Sequence, residues 1–379
     1  MKLAEPVGWN QRQAATLGLD QWLSVIPKSP GVFLIQASGA EPYLGRTANL
    51  QRRLNRLLGA RDKESRLLHL RNLAASAEYW QTPSWLENVL VAHTLAKQHF
   101  PETYSKIVRL PKPPYVKLIT SNRFPRTQVT TRLGGSSRYW GPFATRSAAE
   151  DFEKAALDLF QVRRCQEDLD PTPNHPGCIY GEMNMCLRPC QVAVSEAEYA
   201  SEVERLAEFL ATGGGAAAEA VRRSRDRFSE AMQFEEAARQ HTRLERIQAV
   251  QKLSGDLPGD PRQLSGVAIT NSIRRDTVRL WFLVDGLWRD PRNVSLAQGA
   301  DGKPVSLDAR LKETCASLPA DPNPPPERDR QEHLAILARW FYSGSRDGEW
   351  LAFSDPSQIP WRKLVNAVHR VWQTTHSVS

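Results

Sequence analysis

Four cysteines lie close together in the chain: Cys165, Cys178, Cys186 and Cys190, with twelve, seven and three residues between them. In a chain whose first thirty residues show no basic head and apolar stretch of a secretory leader, such crowding suits a metal centre better than disulfides. Common zinc fingers keep about two to four residues between the cysteines of each pair, which this spacing does not. On ligand count alone, four thiolates suit Zn(II) or a [4Fe–4S] cluster equally. Cys315 stands apart and reads as a buried or inert thiol. A second chemical group is cationic. Arg46, Arg52, Arg53 and Arg56 crowd one short stretch, and a guanidinium fork can hold a phosphate through two bonds. Residues 1–150 carry a net charge of +12 and the remainder −4. A positive field confined to one region points to a bound polyanion, with nucleic acid the first candidate.

The elements that must carry these groups follow from periodicity. Gly31–Ile35 reads as an apolar strand, Gln36–Pro42 as a turn and Tyr43–Gly45 as a second strand edge. Asn49 caps a helix whose Leu50, Leu54, Leu57 and Leu58 form one apolar stripe. A strand at Ala77–Gln81 and a helix at Ser84–His99 come next, the latter stopped by Pro101. Strands are expected at Tyr115–Ile119 and Thr127–Arg132, and a helix at Ala148–Leu159 leads into the cysteines. Residues 196–211 and 215–252 are helical in pattern, parted by Gly213–Gly215. The last 120 or so residues look separate, with strands at Ser265–Thr270 and Thr277–Asp285, a proline-rich linker from Pro319 to Pro326 and a helix at Gln331–Tyr342. The 379 residues suggest two or three domains. A composition 41% hydrophobic and 24% charged excludes wholesale disorder. No apolar run approaches the roughly 20 residues of a membrane span, so a soluble, cytoplasmic protein with no membrane partner is expected.

A strand with Gly-Val-Phe, a strand with Tyr-Leu-Gly and an arginine-bearing helix together resemble the GIY-YIG nucleases. PGVFLIQ…PYLGRTANLQRRL looks most like the N-terminal domain of the UvrC family of excision-repair subunits. Pro114–Leu118, Phe124-Pro125-Arg126 and Tyr139–Phe143 stand where that family has near-identical strings. The resemblance implies phosphodiester cleavage with one divalent metal, Mg or Mn, and a tyrosine-activated water. It gives Tyr43 the role of the second motif tyrosine, Arg46 the usual lysine position and Arg53 the phosphate, with Arg46, Arg52, Arg53 and Arg56 facing DNA. The sequence departs from the pattern in four places. Phe33 replaces the first tyrosine, Arg46 the lysine, Ala92 the metal glutamate, and Ser105 the usual asparagine. Glu87 lies five residues before Ala92, roughly 500° around a helix, and so faces elsewhere.

Cys186-Leu187-Arg188-Pro189-Cys190 resembles the same family's Cys-Leu-x-Pro-Cys, and all four spacings match it, which implies an iron–sulfur cluster with zinc as the alternative. Phe228–Ala238 resembles the UVR motif by which that family docks on the helicase UvrB. Phe234, Ala237 and Ala238 match, while His241-Thr242 stands where the motif has Arg-Asp. The second nuclease domain and tandem helix-hairpin-helix of full-length members are not recognisable, and Ala268 falls on the aspartate of the former's first strand, so a shortened family member is expected. Its six tryptophans in this part, Trp281, Trp288, Trp340, Trp350, Trp361 and Trp372, read as core or interface anchors. The expected architecture is a multidomain α/β chain. A small mixed-sheet GIY-YIG domain spans 27–110, a region with the cysteine cluster 111–195, a helical UVR-like hairpin 196–252 and an α/β tail 258–379. Three functions fit: a DNA-binding excision-repair adaptor with impaired incision, an active single-cut repair endonuclease, or a redox-responsive iron–sulfur interaction protein.

Overall fold

The computed structural model describes residues 5–10, 18–60, 68–296, 306–315 and 326–376. The chain begins β1 (Val7–Asn10), α1 (Leu19–Ser24), β2 (Gly31–Ala37), β3 (Tyr43–Thr47), α2 (Leu50–Leu58), β4 (Ala74–Gln81) and α3 (Trp85–His99). The four strands lie in the order β1-β4-β2-β3. Every neighbouring pair is antiparallel, which corrects the expected mixed sheet. β3 and β4 do run the same way, but β2 lies between them, so no parallel pair can form. Strand alternation divides the apolar residues between two layers. Phe33 and Ile35 pack on α1 and α2, whereas Val32 and Leu34 pack on α3. Asn49 caps α2 as its sequence position implies, accepting from the Arg52 backbone N–H at 2.9 Å. Ser84 caps α3 in the same way, accepting from the Glu87 N–H at 3.2 Å.

The middle of the chain runs α4 (Tyr104–Val108), β5 (Tyr115–Ile119), β6 (Arg126–Thr130), β7 (Arg138–Trp140), α5 (Arg146–Leu157), α6 (Ile179–Glu182), a 3-10 turn at Pro189–Gln191, α7 (Glu196–Ala211), α8 (Gly215–Glu230) and α9 (Phe234–Ser254). Its antiparallel sheet, β6-β5-β7, shares one core with the helices, joining Val116 and Leu118 to Phe152, Leu206, Val221 and Ile247. The single helix expected over 215–252 is in fact two. Met232 takes a left-handed conformation at φ 57°, the Gln233 N–H bonds to the Phe228 carbonyl at 2.8 Å, and the chain reverses. Periodicity does not register this break because α8 and α9 each bury a stripe of the same spacing against the other.

The remainder forms β8 (Ser265–Asn271), β9 (Thr277–Val284), β10 (Leu287–Trp288), β11 (Arg292–Ser295), α10 (Leu307–Cys315), α11 (Glu327–Phe341), β12 (Glu349–Phe353), a 3-10 turn at Pro356–Gln358 and α12 (Trp361–His376). Its sheet has the order β10-β9-β8-β12, with β11 also on β9, again antiparallel throughout. The proline-rich stretch from Pro319 lies outside the described residues as far as residue 325. Trp281, Trp288 and Trp340 are buried, and Trp350, Trp361 and Trp372 are partly buried against the same cores. They serve as core anchors.

These C-terminal residues do not stand apart as the sequence suggested. Leu86, Val89 and Leu90 of α3 share a core with Ala268, Trp281 and Leu337, while Val91, Ala92 and Leu95 face the first sheet. Apolar residues on two faces of one helix need two partners, and α3 finds them by lying between two sheets, with Gln98 near its end left exposed. Polar ties reinforce the contact. Lys97 Nζ pairs with Asp329 at 2.7 Å and His93 Nε2 with Glu332 at 2.9 Å. Buried Glu87 pairs with Arg279 of β9. Burial pushes the Glu87 carboxyl up to about 7 despite that guanidinium, which acts in the opposite direction. A group raised on folding stabilises fully below its unfolded value of 4.5 and loses that contribution as pH rises through about 7. Urea unfolding followed by tryptophan fluorescence should therefore show the protein more stable at pH 5.5 than at pH 8, and Glu87→Gln should flatten the difference. Arg279→Met removes the influence that lowers the Glu87 carboxyl, so in the same assay the loss of stability with rising pH should extend to higher pH.

Candidate functional site

β3 is the outer strand of its sheet, and the candidate phosphate-binding residues lie along it. Tyr43 projects to the α2 side, where Arg53 Nη2 donates to its hydroxyl oxygen at 2.8 Å. That bond leaves the phenolic proton directed elsewhere, and Arg53 Nε is buried with no partner. Arg52 and Arg56 lie on the exposed surface of the same helix. Phe33 fills the space beneath Tyr43, fully buried, with ring centroids 6.0 Å apart, so it is a core aromatic. Its ring also dictates Gly45, since a Cβ there would stand 2.3 Å from Phe33 Cζ.

Arg46 projects from the opposite face of β3, as the period of two requires. Its Nε donates to Asn88 Oδ1 at 2.5 Å, and Asn88 Nδ2 donates to Thr82 Oγ1 at 2.8 Å. Arg46, Asn88 and Trp85 line an open cavity of about 520 Å³. Asp347 closes its far side, accepting from the Trp85 backbone N–H and from Trp340 Nε1. The structure thus brings Tyr43 and Arg53 together and commits Arg46 to the other side of the strand. Ala92 lies among the apolar side chains of Val32, Leu34, Trp80 and Leu95. Ser105 opens on a separate cavity of about 440 Å³ beside His93, Tyr104 and Glu332. Nothing local in the sequence announced Asn88 or Asp347, because their partners lie 42 and up to 262 residues away.

The four cysteines sit in an irregular stretch between α5 and α7. Cys165 is half-buried, Cys178 exposed at the start of α6, and Cys186 and Cys190 buried. Burial, together with the fields of the other three cysteines, pushes the Cys186 thiol up to about 11, against the pull of a backbone hydrogen bond. That bond is the Arg188 N–H donating to Cys186 Sγ at 3.4 Å. Arg188 and Val192, both left-handed, bracket the 3-10 turn that carries Cys190. Among the described residues, no three His, Cys, Asp or Glu side chains converge as ligands of one metal ion. The four thiols are nonetheless close enough to feel one another's charge, and soft sulfur donors suit an iron–sulfur cubane. A cubane binds its thiolates through four different irons, so they need not meet at one point as a zinc site demands.

The α8–α9 reversal is a third candidate. Met232 and Phe234 at its tip are 77% and 67% exposed. Ala237 is half-buried and Ala238 exposed on the first turn of α9. His241 pairs with Glu245 at 3.5 Å, and Thr242 Oγ1 bonds to the Ala238 carbonyl at 3.2 Å.

Gly45→Ala should lower the melting temperature, costing about 1–3 kcal/mol through its collision with Phe33. Tyr43→Phe, which removes one half-exposed hydrogen bond, should cost no more than about 1 kcal/mol. Thermal denaturation of the two variants compares them directly.

Residues 114–209 match the UvrC/Cho excinuclease middle domain. The UvrABC system protein C of Lachnospira eligens is 24% identical over 93% of this chain and 58% of its own length. The protein of the same name from Alcanivorax borkumensis is 31% identical over 59% of this chain and 37% of its own length, and that from Moorella thermoacetica 29% identical over 62% and 38%. The chain therefore spans between 37% and 58% of the length of these relatives. No solved structure matches it. The chain is thus similar to UvrC proteins over as much as 93% of its residues, and its middle region matches that family's middle domain.

Proposed function

We propose that the protein is a DNA-binding component of nucleotide excision repair whose N-terminal nuclease-like site has lost ordinary metal-dependent incision. The observation that carries this reading is the fate of α3. The position of the family's metal glutamate is Ala92, enclosed by Val32, Leu34, Trp80 and Leu95. The nearest carboxylate on that helix, Glu87, is held by Arg279. A hard divalent cation needs oxygen ligands, and a metal-bound water supplies much of the barrier reduction in such hydrolyses. The phosphate-facing parts survive: Tyr43 and Arg53 are paired, and Arg52 and Arg56 share their exposed helix. Such a surface gives affinity for the DNA backbone without sequence readout.

Two further features fit the same role. The tip of the α8–α9 hairpin, with Phe234, Ala237 and Ala238, presents an apolar surface of the kind that enters a helical groove, and we assign it to docking on a UvrB-like helicase. The four cysteines suit a [4Fe–4S] cluster, held by Cys165, Cys178, Cys186 and Cys190, that orders the loop between α5 and α7. Redox sensing alone would leave the basic helix without a purpose.

The test is binding and nicking of a lesion-bearing duplex by anaerobically purified protein, with Mg(II) or Mn(II) and UvrB present. The expected result is binding without nicking. Arg53→Ala should weaken binding and reduce the slope of log K against log salt by about one phosphate contact. Nicking that disappears in Arg53→Ala would instead establish an active endonuclease and overturn the loss of incision.

A further inference from the structure

Arg163 is the one element of the cysteine region whose chemistry remains unaccounted for. It is 2% exposed, one of the largest fully buried side chains in the protein. Its Nε donates to the Phe124 carbonyl at 2.9 Å, and its Nη1 to the Glu167 carbonyl at 2.8 Å and to Cys165 Sγ at 3.4 Å. These bonds engage three of its five N–H donors and leave its charge unmatched, because among the described residues no carboxylate pairs with it. Its neighbour Arg164 differs in this respect, pairing with Asp158 at 2.7 Å. The side chains of Glu167 and Asp168 point to solvent. A permanent cation buried without an anion is strongly unfavourable, and arginine does not escape by losing its proton. Among the described residues, the group bonded to the guanidinium that can bear a negative charge is the Cys165 sulfur.

We propose that Arg163 is the buried counter-charge of an anionic four-thiolate centre formed by Cys165, Cys178, Cys186 and Cys190, and that its fork positions Cys165 as a ligand. The inference rests on the metal-centre reading of the cysteines. With a [4Fe–4S] core, four thiolates would leave the centre negatively charged, which would supply the anion that the protein part lacks. The two carbonyl bonds tie the charge to the strand end at Phe124 and to the loop at Glu167, so the guanidinium cannot follow the sulfur outward. Arg163 is thus a positioning residue that acts through Cys165.

The test compares the wild-type protein with Arg163→Gln and Arg163→Lys, all purified anaerobically. Iron, acid-labile sulfide and zinc per chain are measured, then the rate of metal loss to a chelator and, for an iron–sulfur centre, the one-electron midpoint potential. Arg163→Gln should hold metal about tenfold to a hundredfold more weakly, as loss of an outer-shell partner does, and its potential should move negative because a nearby positive charge is gone. Arg163→Lys should recover most of the potential. Equal retention and an unshifted potential in Arg163→Gln would overturn the role of Arg163 while leaving the metal centre standing. A wild-type protein without iron, sulfide or zinc would overturn the metal-centre reading itself. Should the glutamine variant fail to fold, hydrogen exchange of residues 163–167 in loaded and metal-stripped wild-type protein decides. Faster exchange on stripping is expected, since the stranded charge would draw water in. Unchanged protection would overturn the proposal.

Discussion

Helix α3 must be buried on two faces, and much of the molecule is arranged to do it. One face carries Val91, Ala92 and Leu95 to the first sheet, and another carries Leu86, Val89 and Leu90 to the C-terminal sheet. Two ionisable side chains of the helix are buried with them, Glu87 beside Arg279 of β9 and His93 beside Glu332 of α11. A helix with one wet face tolerates polar substitutions there. This one has little to spare, because each of its apolar stripes is claimed by a different core. Contacts between its C-terminal half and α11, through His93 with Glu332 and Lys97 with Asp329, tie the helix to the C-terminal unit.

That burial has a chemical consequence for the N-terminal domain. A glutamate at position 92 would have to emerge from between two packed layers, and the alanine found there lets them close. The edge strand β3 sends its two candidate residues to opposite faces. Tyr43 and Arg53 form a unit on the α2 side, and Arg46 is drawn through Asn88 to the α3 side, where Asp347 of the C-terminal unit also reaches. The C-terminal sheet thereby takes part in shaping the basic edge even though its own candidate aspartate position, Ala268, is buried among apolar side chains.

The middle region is built on a different principle. Between α5 and α7 the backbone has little regular structure and is held by side chains bonding to main-chain carbonyls, with Arg163 the deepest of them. Hydrophobic burial alone does not hold such a segment, and side-chain bonds with backbone links such as Leu187 N–H to the Gln161 carbonyl and Thr172 N–H to the Cys190 carbonyl do more there. At the far end of the same core, α8 and α9 bury their facing stripes in the hairpin and leave Met232 and Phe234 in water. Rigid helices beneath an exposed apolar tip favour a surface that meets a partner with little rearrangement.

Local patterns in the sequence carried the cap at Asn49, the leucine stripe of α2, the strands at β2, β5, β8 and β9, and the clustering of four cysteines. Each depends on residues within a turn or two of one another, where spacing alone sets geometry. The reversal at Met232 escaped that reading because two helices packed on each other share one periodicity. The antiparallel character of the first sheet escaped it because strand order is not a local property. The residues that matter most to the candidate sites were decided only in three dimensions. Arg279 reaches Glu87 across 192 residues of chain, Asp347 reaches Trp85 across 262, and Arg163 reaches the Phe124 carbonyl across 39. The sequence by itself determined which side chains could bind phosphate or metal. Tertiary structure decided which of them stand together and which are silenced by burial, because charge and desolvation depend on what surrounds a group in space, and a one-dimensional pattern does not hold that information.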